Sequence, residues 1–230
     1  MEVVILAGGI GSRLRSVVSE VPKCMAEVNG KPFLHYLFQY LMPFNPERVI
    51  LSLGYKHEIV EHWIASLILP FEVVNRVESS PLGTGGAIKD ALSAVKGKDA
   101  IVLNGDTFFE VDLSDFLHFH QKKQGVEVSL ALKPMRDFDR YGSVTIDPTT
   151  HIISGFEEKK LCEEGLINGG VYAINKQTLA SFPEKFSMEN DYFTAKVNEK
   201  KLSGYVCDGY FIDIGIPDDY EKAQQSLPGR

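Results

Sequence analysis

Apolar runs alternate with segments of helical periodicity through the first half of the chain. Short apolar runs predict buried strands at 2–6, 48–53, 71–75 and 100–103. Apolar residues at helical spacing predict helices at 33–41, 57–67, 85–95 and 115–123. This alternation of strands and helices is typical of an α/β protein with a largely parallel sheet and right-handed crossovers.

The second half has a different pattern, because its strand-like runs follow one another with shorter connections. Strands are predicted at 127–132, 142–146, 152–156 and 167–174, and shorter ones at 205–206 and 211–212. Helices are predicted at 188–199 and 217–226. No linker or low-complexity segment divides the chain, so we expect one domain over 1–230. Its halves, about 1–110 and about 111–230, would share one sheet.

Composition and charge narrow the class of protein. Hydrophobic residues make up 44%, as in a globular protein, and no apolar run is long enough to cross a membrane. The formal net charge of −7 argues against a general nucleic-acid surface. The three cysteines are widely spaced and predict free thiols in a reducing compartment. We therefore expect a cytoplasmic protein that binds neither nucleic acid nor membrane.

The loop after the first predicted strand carries the clearest chemistry. Its sequence is Leu6-Ala7-Gly8-Gly9-Ile10-Gly11-Ser12-Arg13, and Pro22-Lys23 follows. Glycines allow backbone N–H groups to approach a ligand closely, and successive N–H groups form an anion site. Arg13 and Lys23 add two positive charges. The segment therefore predicts a phosphate site.

Three kinds of phosphate site compete for this loop. A P-loop needs G-x-x-x-x-G-K-[ST], but no lysine follows Gly11. A dinucleotide-binding turn needs a third glycine, where this chain has Leu14. The third motif, G-G-x-G-[TS]-R with a later P-K, resembles the sugar-1-phosphate nucleotidyltransferases. The resemblance implies a Rossmann-like three-layer fold with a mostly parallel mixed central sheet, with the nucleotide on the first half and the sugar phosphate on the second.

The same resemblance implies roles for the residues of the loop. Leu6, Ala7, Gly8, Gly9, Gly11 and Ser12 would bind the nucleotide. Arg13 would contact the triphosphate, and Lys23 the reacting phosphates. A forked guanidinium suits oxygens on two phosphates, whereas an ammonium can follow one oxygen through the reaction.

Two aspartates are candidate ligands for Mg²⁺. Asp106 ends an apolar strand in Asn104-Gly105-Asp106, and Mg²⁺ prefers one or two carboxylates together with substrate phosphates. Asp213 lies between apolar residues, where an unpaired charge would be costly. The resemblance assigns both to the metal, and Asp106 also to catalysis. Ile216 stands where the family has threonine in its D-I-G-T-P segment. An Asx turn at Asp106 and a helix cap at Asp213 are the structural alternatives.

The segment Glu78-Ser79-Ser80-Pro81-Leu82-Gly83-Thr84 is the candidate for base recognition. It resembles the family's P-L-G-T motif, and we expect Gly83 to let backbone groups approach the edge of the base. The Glu78 carboxylate could accept both N1–H and the N2 amino group of guanine. We therefore expect Gly83, Thr84 and Glu78 to bind GTP, with an exposed loop acid at Glu78 as the alternative.

Three later segments resemble the family's sugar-phosphate site. Tyr141-Gly142 resembles its Y-G, and Glu158-Lys159 resembles F-x-E-K, in which the acid binds sugar hydroxyls and the lysine the phosphate. Asn168-Gly169 resembles the start of N-A-G-x-Y. Lys160 replaces the proline that commonly follows the lysine. Strand-end turns with solvated charges are the alternative for all three.

Taken together, the resemblance implies guanylyl transfer from GTP to a sugar 1-phosphate with Mg²⁺, releasing pyrophosphate. A heptose 1-phosphate is favoured over mannose 1-phosphate or another hexose 1-phosphate. The product would feed bacterial surface polysaccharide or S-layer glycan synthesis. A non-catalytic regulatory subunit would have lost Arg13, Lys23 or an aspartate, and an NAD-dependent oxidoreductase would need the missing glycine. The sequence leaves a homo-oligomer open.

Overall fold

A computed structural model of the chain describes residues 1–9, 11, 14, 17–18 and 20–227. The strands are β1 (Glu2–Leu6), β2 (Glu27–Val28), β3 (Lys31–Pro32), β4 (Arg48–Leu53), β5 (Glu72–Val77), β6 (Asp99–Asn104), β7 (Thr107–Phe109), β8 (Val128–Phe138), β9 (Val144–Ile146), β10 (Ile153–Phe156), β11 (Cys162–Asn175), β12 (Leu202–Val206) and β13 (Phe211–Asp213). The helices are α1 (Phe33–Leu41), α2 (His57–Ala65), α3 (Gly83–Leu92), α4 (Leu113–Lys122), α5 (Thr194–Lys196) and α6 (Pro217–Ser226). Two 3₁₀ turns (Lys23–Met25 and Met42–Phe44) and a π-helical turn (Met188–Phe193) complete the elements.

A seven-stranded sheet joins the two halves of the chain. Its order is β12-β8-β11-β6-β1-β4-β5. Strand β11 runs antiparallel to both of its neighbours, and the other pairs are parallel. The predicted α/β fold with a mostly parallel mixed sheet is therefore confirmed.

The apolar side chains of β1 show that both faces of the sheet are covered. Val3 and Ile5 pack in one buried cluster and Val4 in another, on the opposite face. All three are fully buried. A strand covered on both faces is typically a continuous apolar run, as this one is. Among the described residues, no helix is long and apolar enough to span a membrane.

The predicted helices and strands agree best with the structure where the hydrophobic periodicity of the sequence is strong. The predictions for β1, α1, β4 and α6 match their observed bounds. The predicted helix at 188–199 is found over 188–196, but it begins as a π-helical turn, Met188–Phe193, and only Thr194–Lys196 is α-helical. Strands β8 and β11 are longer than predicted, because they form a long antiparallel ribbon beyond the sheet. The predictions missed β7, which pairs with β13 and draws Asp213 towards Asp106.

Candidate active site

Lys23, Asp106 and Asp213 meet at one point although they are far apart in the sequence. Lys23 begins the 3₁₀ turn after Pro22, Asp106 follows β6, and Asp213 ends β13. The Lys23 ammonium donates a hydrogen bond to the Asp106 carboxylate and lies 3.7 Å from Asp213 Oδ1. The structure therefore brings together the predicted lysine and both predicted aspartates.

Burial sets the electrostatics of this cluster. The side chains of Lys23 and Asp213 are only 10% and 18% exposed. Burial raises the pKa of Asp213, and the negative charge of Asp106 raises it further. Lys23, the Gly215 N–H and Arg140 oppose this shift, and the Gly215 N–H donates to Asp213 Oδ1 over 2.7 Å. Two carboxylates thus share one lysine in a partly desolvated place, which leaves the cluster short of positive charge.

This donor set fits Mg²⁺ bound together with substrate. The described residues contain no group of three or more His, Cys, Asp or Glu side chains placed to hold a metal. Two converging carboxylates are nevertheless what Mg²⁺ usually takes from a protein when phosphate oxygens supply further ligands. Asp106 and Asp213 are the residues that could hold it.

A cavity of about 780 Å³ opens beside Asp106 at the carboxyl ends of the parallel strands. Of the predicted nucleotide residues, it is lined by Leu6, Gly8, Gly9, Gly11, Glu78, Gly83 and Thr84. Ala7 is buried, and its N–H donates to Ser52 O at 2.8 Å. Ser12 and Arg13 lie outside the described residues, so their predicted roles stay predictions.

Three further residues line this cavity that the sequence reasoning missed: Ser52, Gly54 and Tyr55. Ser52 is a polar residue near the carboxyl end of an apolar strand, and Gly54 follows that strand. Ligands bind beyond the carboxyl ends of strands in an open parallel sheet, so that rule applied to β4 would have found them. Asn104 ends β6, two residues before Asp106.

Glu78 is held in the wall of the nucleotide cavity. It follows β5 directly, and its Oε2 accepts the Leu82 N–H at 3.0 Å. A Cβ atom at Gly54 would lie 2.6 Å from Glu78 Oε1, and one at Gly8 would lie 3.0 Å from it. The two glycines therefore make the space that the carboxylate occupies. Glu78 is half-buried and positioned, and is not a freely solvated loop acid.

The glycines at the start of α3 have a packing role in addition to the one predicted for Gly83. A Cβ atom at Gly83, whose φ is +74°, would lie 2.5 Å from Phe186 O. A Cβ at Gly85 would collide with the Phe186 ring, and one at Gly86 with Glu184 O. These glycines let the chain at 184–186 pack on the helix start. Gly83 also lines the cavity, and its predicted contact with the base stays a prediction.

The predicted sugar-phosphate residues fall into two groups. Tyr141, Asn168 and Gly169 are packed: the Tyr141 ring lies 5.9 Å from the Phe211 ring, and Asn168 Nδ2 donates to Tyr172 OH at 3.0 Å. A Cβ at Gly169 would collide with Phe109, and one at Gly142 with Glu157 O. These two glycines therefore serve close packing of strands.

Glu158 and Lys159 form the second group. Both are exposed in the loop after β10, and neither makes a hydrogen bond or ion pair with another described residue. Their neighbour Lys160 instead pairs with Glu157 at 2.5 Å. Neither Glu158 nor Lys159 lines the nucleotide cavity. Their assignment to the sugar phosphate stays a prediction.

Comparison with known proteins agrees with this geometry. The family model described as nucleotidyl transferase matches residues 2–229. The chain belongs to this family. As a family member it is 48% identical over 229 residues to a D-glycero-alpha-D-manno-heptose 1-phosphate guanylyltransferase of Aneurinibacillus thermoaerophilus, covering 99% of this chain and 98% of the relative.

Two other comparisons concern a solved structure and a less similar relative. HddC from Yersinia pseudotuberculosis, in a crystal structure with GMP-PN, has a TM-score of 0.85 and 38% identity, covering 97% of both chains. A mannose-1-phosphate guanylyltransferase of Mycobacterium tuberculosis is 31% identical over 99% of this chain but only 64% of its own length. The predicted family, fold and enzyme class are thereby confirmed.

Proposed function

We propose that the protein transfers a guanylyl group from GTP to D-glycero-α-D-manno-heptose 1-phosphate, giving GDP-heptose and pyrophosphate. The observation that carries this is the convergence of Lys23, Asp106 and Asp213 beside a cavity that Glu78 lines. Near full-length similarity to heptose 1-phosphate guanylyltransferases supports the sugar and the nucleotide. The mannose alternative has the weaker support, because its relative is less similar and longer.

The reaction needs charge stabilisation more than covalent chemistry from the protein. A phosphate oxygen of the sugar attacks the α-phosphorus in line, and the bond to the leaving pyrophosphate breaks. Lys23 would follow the negative charge that grows on the phosphate oxygens. Because its ammonium already lies beside two carboxylates, it is held next to Asp106, which lines the nucleotide cavity, before substrate arrives.

Mg²⁺, when bound, would neutralise charge on the phosphates and bridge them to the protein. Asp106 and Asp213 would hold it, since Asp106 lies between β6 and β7, and the pairing of β7 with β13 brings Asp213 beside it. The Gly215 N–H hydrogen bond keeps the Asp213 carboxylate in place as one of the two metal ligands.

Glu78 would read the base. Its carboxylate has room for more than the one hydrogen bond it accepts from Leu82. Guanine offers N1–H and the N2 amino group side by side, which one carboxylate can accept together. A cytoplasmic location, a homo-oligomer and the surface-glycan pathway stay predictions from the sequence.

Release of pyrophosphate tests the proposal. The purified protein would be assayed with GTP, ATP, CTP, UTP and dTTP, each crossed with heptose, mannose and glucose 1-phosphates. We expect the highest kcat/KM for GTP with heptose 1-phosphate. A preference for mannose 1-phosphate would select the alternative, preference for dTTP or CTP would contradict the role of Glu78, and no release with any pair would favour a non-catalytic binding protein.

Two variants test the metal site separately. We expect Asp106→Asn and Asp213→Asn each to weaken Mn²⁺ binding at least about 10-fold in the presence of GTP, measured by electron paramagnetic resonance. Asp218→Asn is the matched control, because Asp218 is an exposed aspartate on the first turn of α6. Wild-type affinity in both aspartate variants would contradict the assignment.

A further inference from the structure

The start of α3 is clamped by a segment from the other half of the chain. We call residues 184–189 the clamp. The N–H groups of Gly85 and Gly86 donate to Phe186 O at 3.0 and 3.3 Å, and the Phe186 N–H donates to Leu82 O at 3.0 Å. Side chains at the three glycines of this turn would collide with the clamp. The wall of the nucleotide cavity is therefore built against the second half of the chain.

Thr84 makes the side-chain part of this junction. Its hydroxyl accepts the Met188 N–H at 2.9 Å and donates to Glu189 Oε2 at 2.9 Å. The hydroxyl proton is thus committed to Glu189, while Thr84 itself lines the nucleotide cavity. Its alignment with the motif suggests direct contact with the base, but its hydroxyl faces the clamp.

Glu189 also lies close to the strand that carries predicted sugar residues. After burial, the negative charge of Glu189 is the next cause that raises the pKa of Tyr172. The Tyr172 hydroxyl in turn accepts the Asn168 amide at 3.0 Å. Glu189 is exposed, and its Oε2 accepts the Thr84 hydroxyl at 2.9 Å and the Ser187 hydroxyl at 3.3 Å. The Glu189 carboxylate therefore lies between the wall of the nucleotide cavity and β11.

We propose that Glu189 is a positioning residue for the nucleotide: through the Thr84 hydroxyl it holds the first turn of α3 at the distance from Glu78 that the base requires. The inference rests on the proposed function, since it takes a nucleoside triphosphate as the ligand of this cavity. Glu189 need not touch the reacting atoms. Its loss should therefore affect nucleotide binding more than turnover.

The test compares variants that remove the hydrogen bond with variants that keep it. We expect Glu189→Ala and Thr84→Val each to raise KM for GTP about 10-fold, the loss typical of a hydrogen bond to a charged group. Glu189→Gln and Thr84→Ser retain an acceptor and a donor and should stay within about three-fold of wild type. Glu184→Ala is the matched control, an exposed acid of the clamp with the same change of charge.

A double variant separates this role from simple support of the fold. If Thr84 and Glu189 act through one hydrogen bond, Thr84→Val/Glu189→Ala should raise KM no further than Thr84→Val alone, which also removes the acceptor of the Met188 N–H. A merely structural role would lower Tm and the active fraction but leave KM for GTP unchanged. An unchanged KM in Glu189→Ala, an equal rise in Glu184→Ala, or additive effects would each overturn the inference.

The result for Glu189 can be interpreted whether or not the proposed function is correct. Failure of the proposed function appears in the wild-type protein, as a different preferred nucleotide or as no turnover. In the first case the same KM comparison is made with the preferred nucleotide, and in the second the Kd of GTP is measured by calorimetry. If Glu189→Ala does not fold, Thr84→Val against Thr84→Ser decides the question.

Discussion

The nucleotide side and the sugar side of the candidate site are built differently. On the nucleotide side, Glu78 and Thr84 are held by hydrogen bonds to Leu82, Met188 and Glu189. On the sugar side, Glu158 and Lys159 are exposed and make no hydrogen bond or ion pair with the rest of the described chain. One side is preorganised before substrate arrives, whereas these two residues on the other would have to be ordered by it.

This difference has an energetic consequence. A preorganised wall spends little free energy on ordering when the ligand binds, so it can discriminate between similar ligands. Exposed side chains must lose rotamer entropy on binding, and their charges are screened by solvent. We therefore expect changes on the nucleotide side to alter selectivity, and changes to the exposed residues of the sugar side to alter affinity more modestly.

The largest effect is expected where the two sides meet. Lys23→Ala should lower kcat about 10²–10³-fold, because it removes one charged donor from the transition state. Steady-state release of pyrophosphate measures this. Lys122→Ala, at an exposed lysine near the end of α4, should leave kcat unchanged. Wild-type turnover in the Lys23 variant would show that Lys23 takes no part in the mechanism.

A smaller effect is expected on the nucleotide side. Glu78→Gln should reduce the preference for GTP over other nucleotides about 10–100-fold, because it replaces a charged acceptor. Gly54→Ala should act in the same direction, since its Cβ would press on Glu78 Oε1. Ratios of kcat/KM among nucleotides measure both variants. If selectivity is retained in both, the preorganised wall does not read the base.

On the sugar side the neighbouring lysines give a matched pair. Lys159→Ala should raise KM for the sugar 1-phosphate about 10-fold, the loss of one charge-assisted contact. Lys160→Ala should not, because Lys160 is occupied by Glu157. Equal effects in the two variants, measured as KM at saturating GTP, would mean that neither lysine binds the phosphate specifically.

The smallest effect concerns the scaffold of the second half of the chain. His120 Nδ1 lies 2.8 Å from Ser129 Oγ in a buried cluster, and burial lowers the pKa of His120 from 6.5. Below pH 6.5 the unfolded chain binds a proton that the folded chain resists, so the free energy of unfolding should fall as the pH falls. His120→Gln should lessen this fall, as urea unfolding at several pH values would show. If the free energy of unfolding depends on pH identically in wild type and His120→Gln, another group is responsible for the fall.

Local patterns in the sequence predicted much of the first half of the protein correctly. The apolar runs of β1 and β4 and the periodicity of α1 specify these elements because each is buried in a regular environment. The predicted phosphate loop and base-recognition segment both line the cavity at the carboxyl ends of the parallel strands. The same reasoning missed β7, at the end of the first half, and in the second half it did not foresee that the helix from Met188 begins with a π-helical turn, because tertiary packing decides those elements.

The sequence by itself determined the family, the fold class and the identities of Lys23, Asp106 and Asp213, because a phosphate loop and strand-end carboxylates are local patterns. Only the tertiary structure decided that β13 brings Asp213 to Lys23 and that the glycines of α3 accommodate the clamp. Such contacts join residues about 100 to 190 positions apart. Their energy comes from burial and from hydrogen bonds between distant segments, to which the spacing of residues along a chain gives no guide.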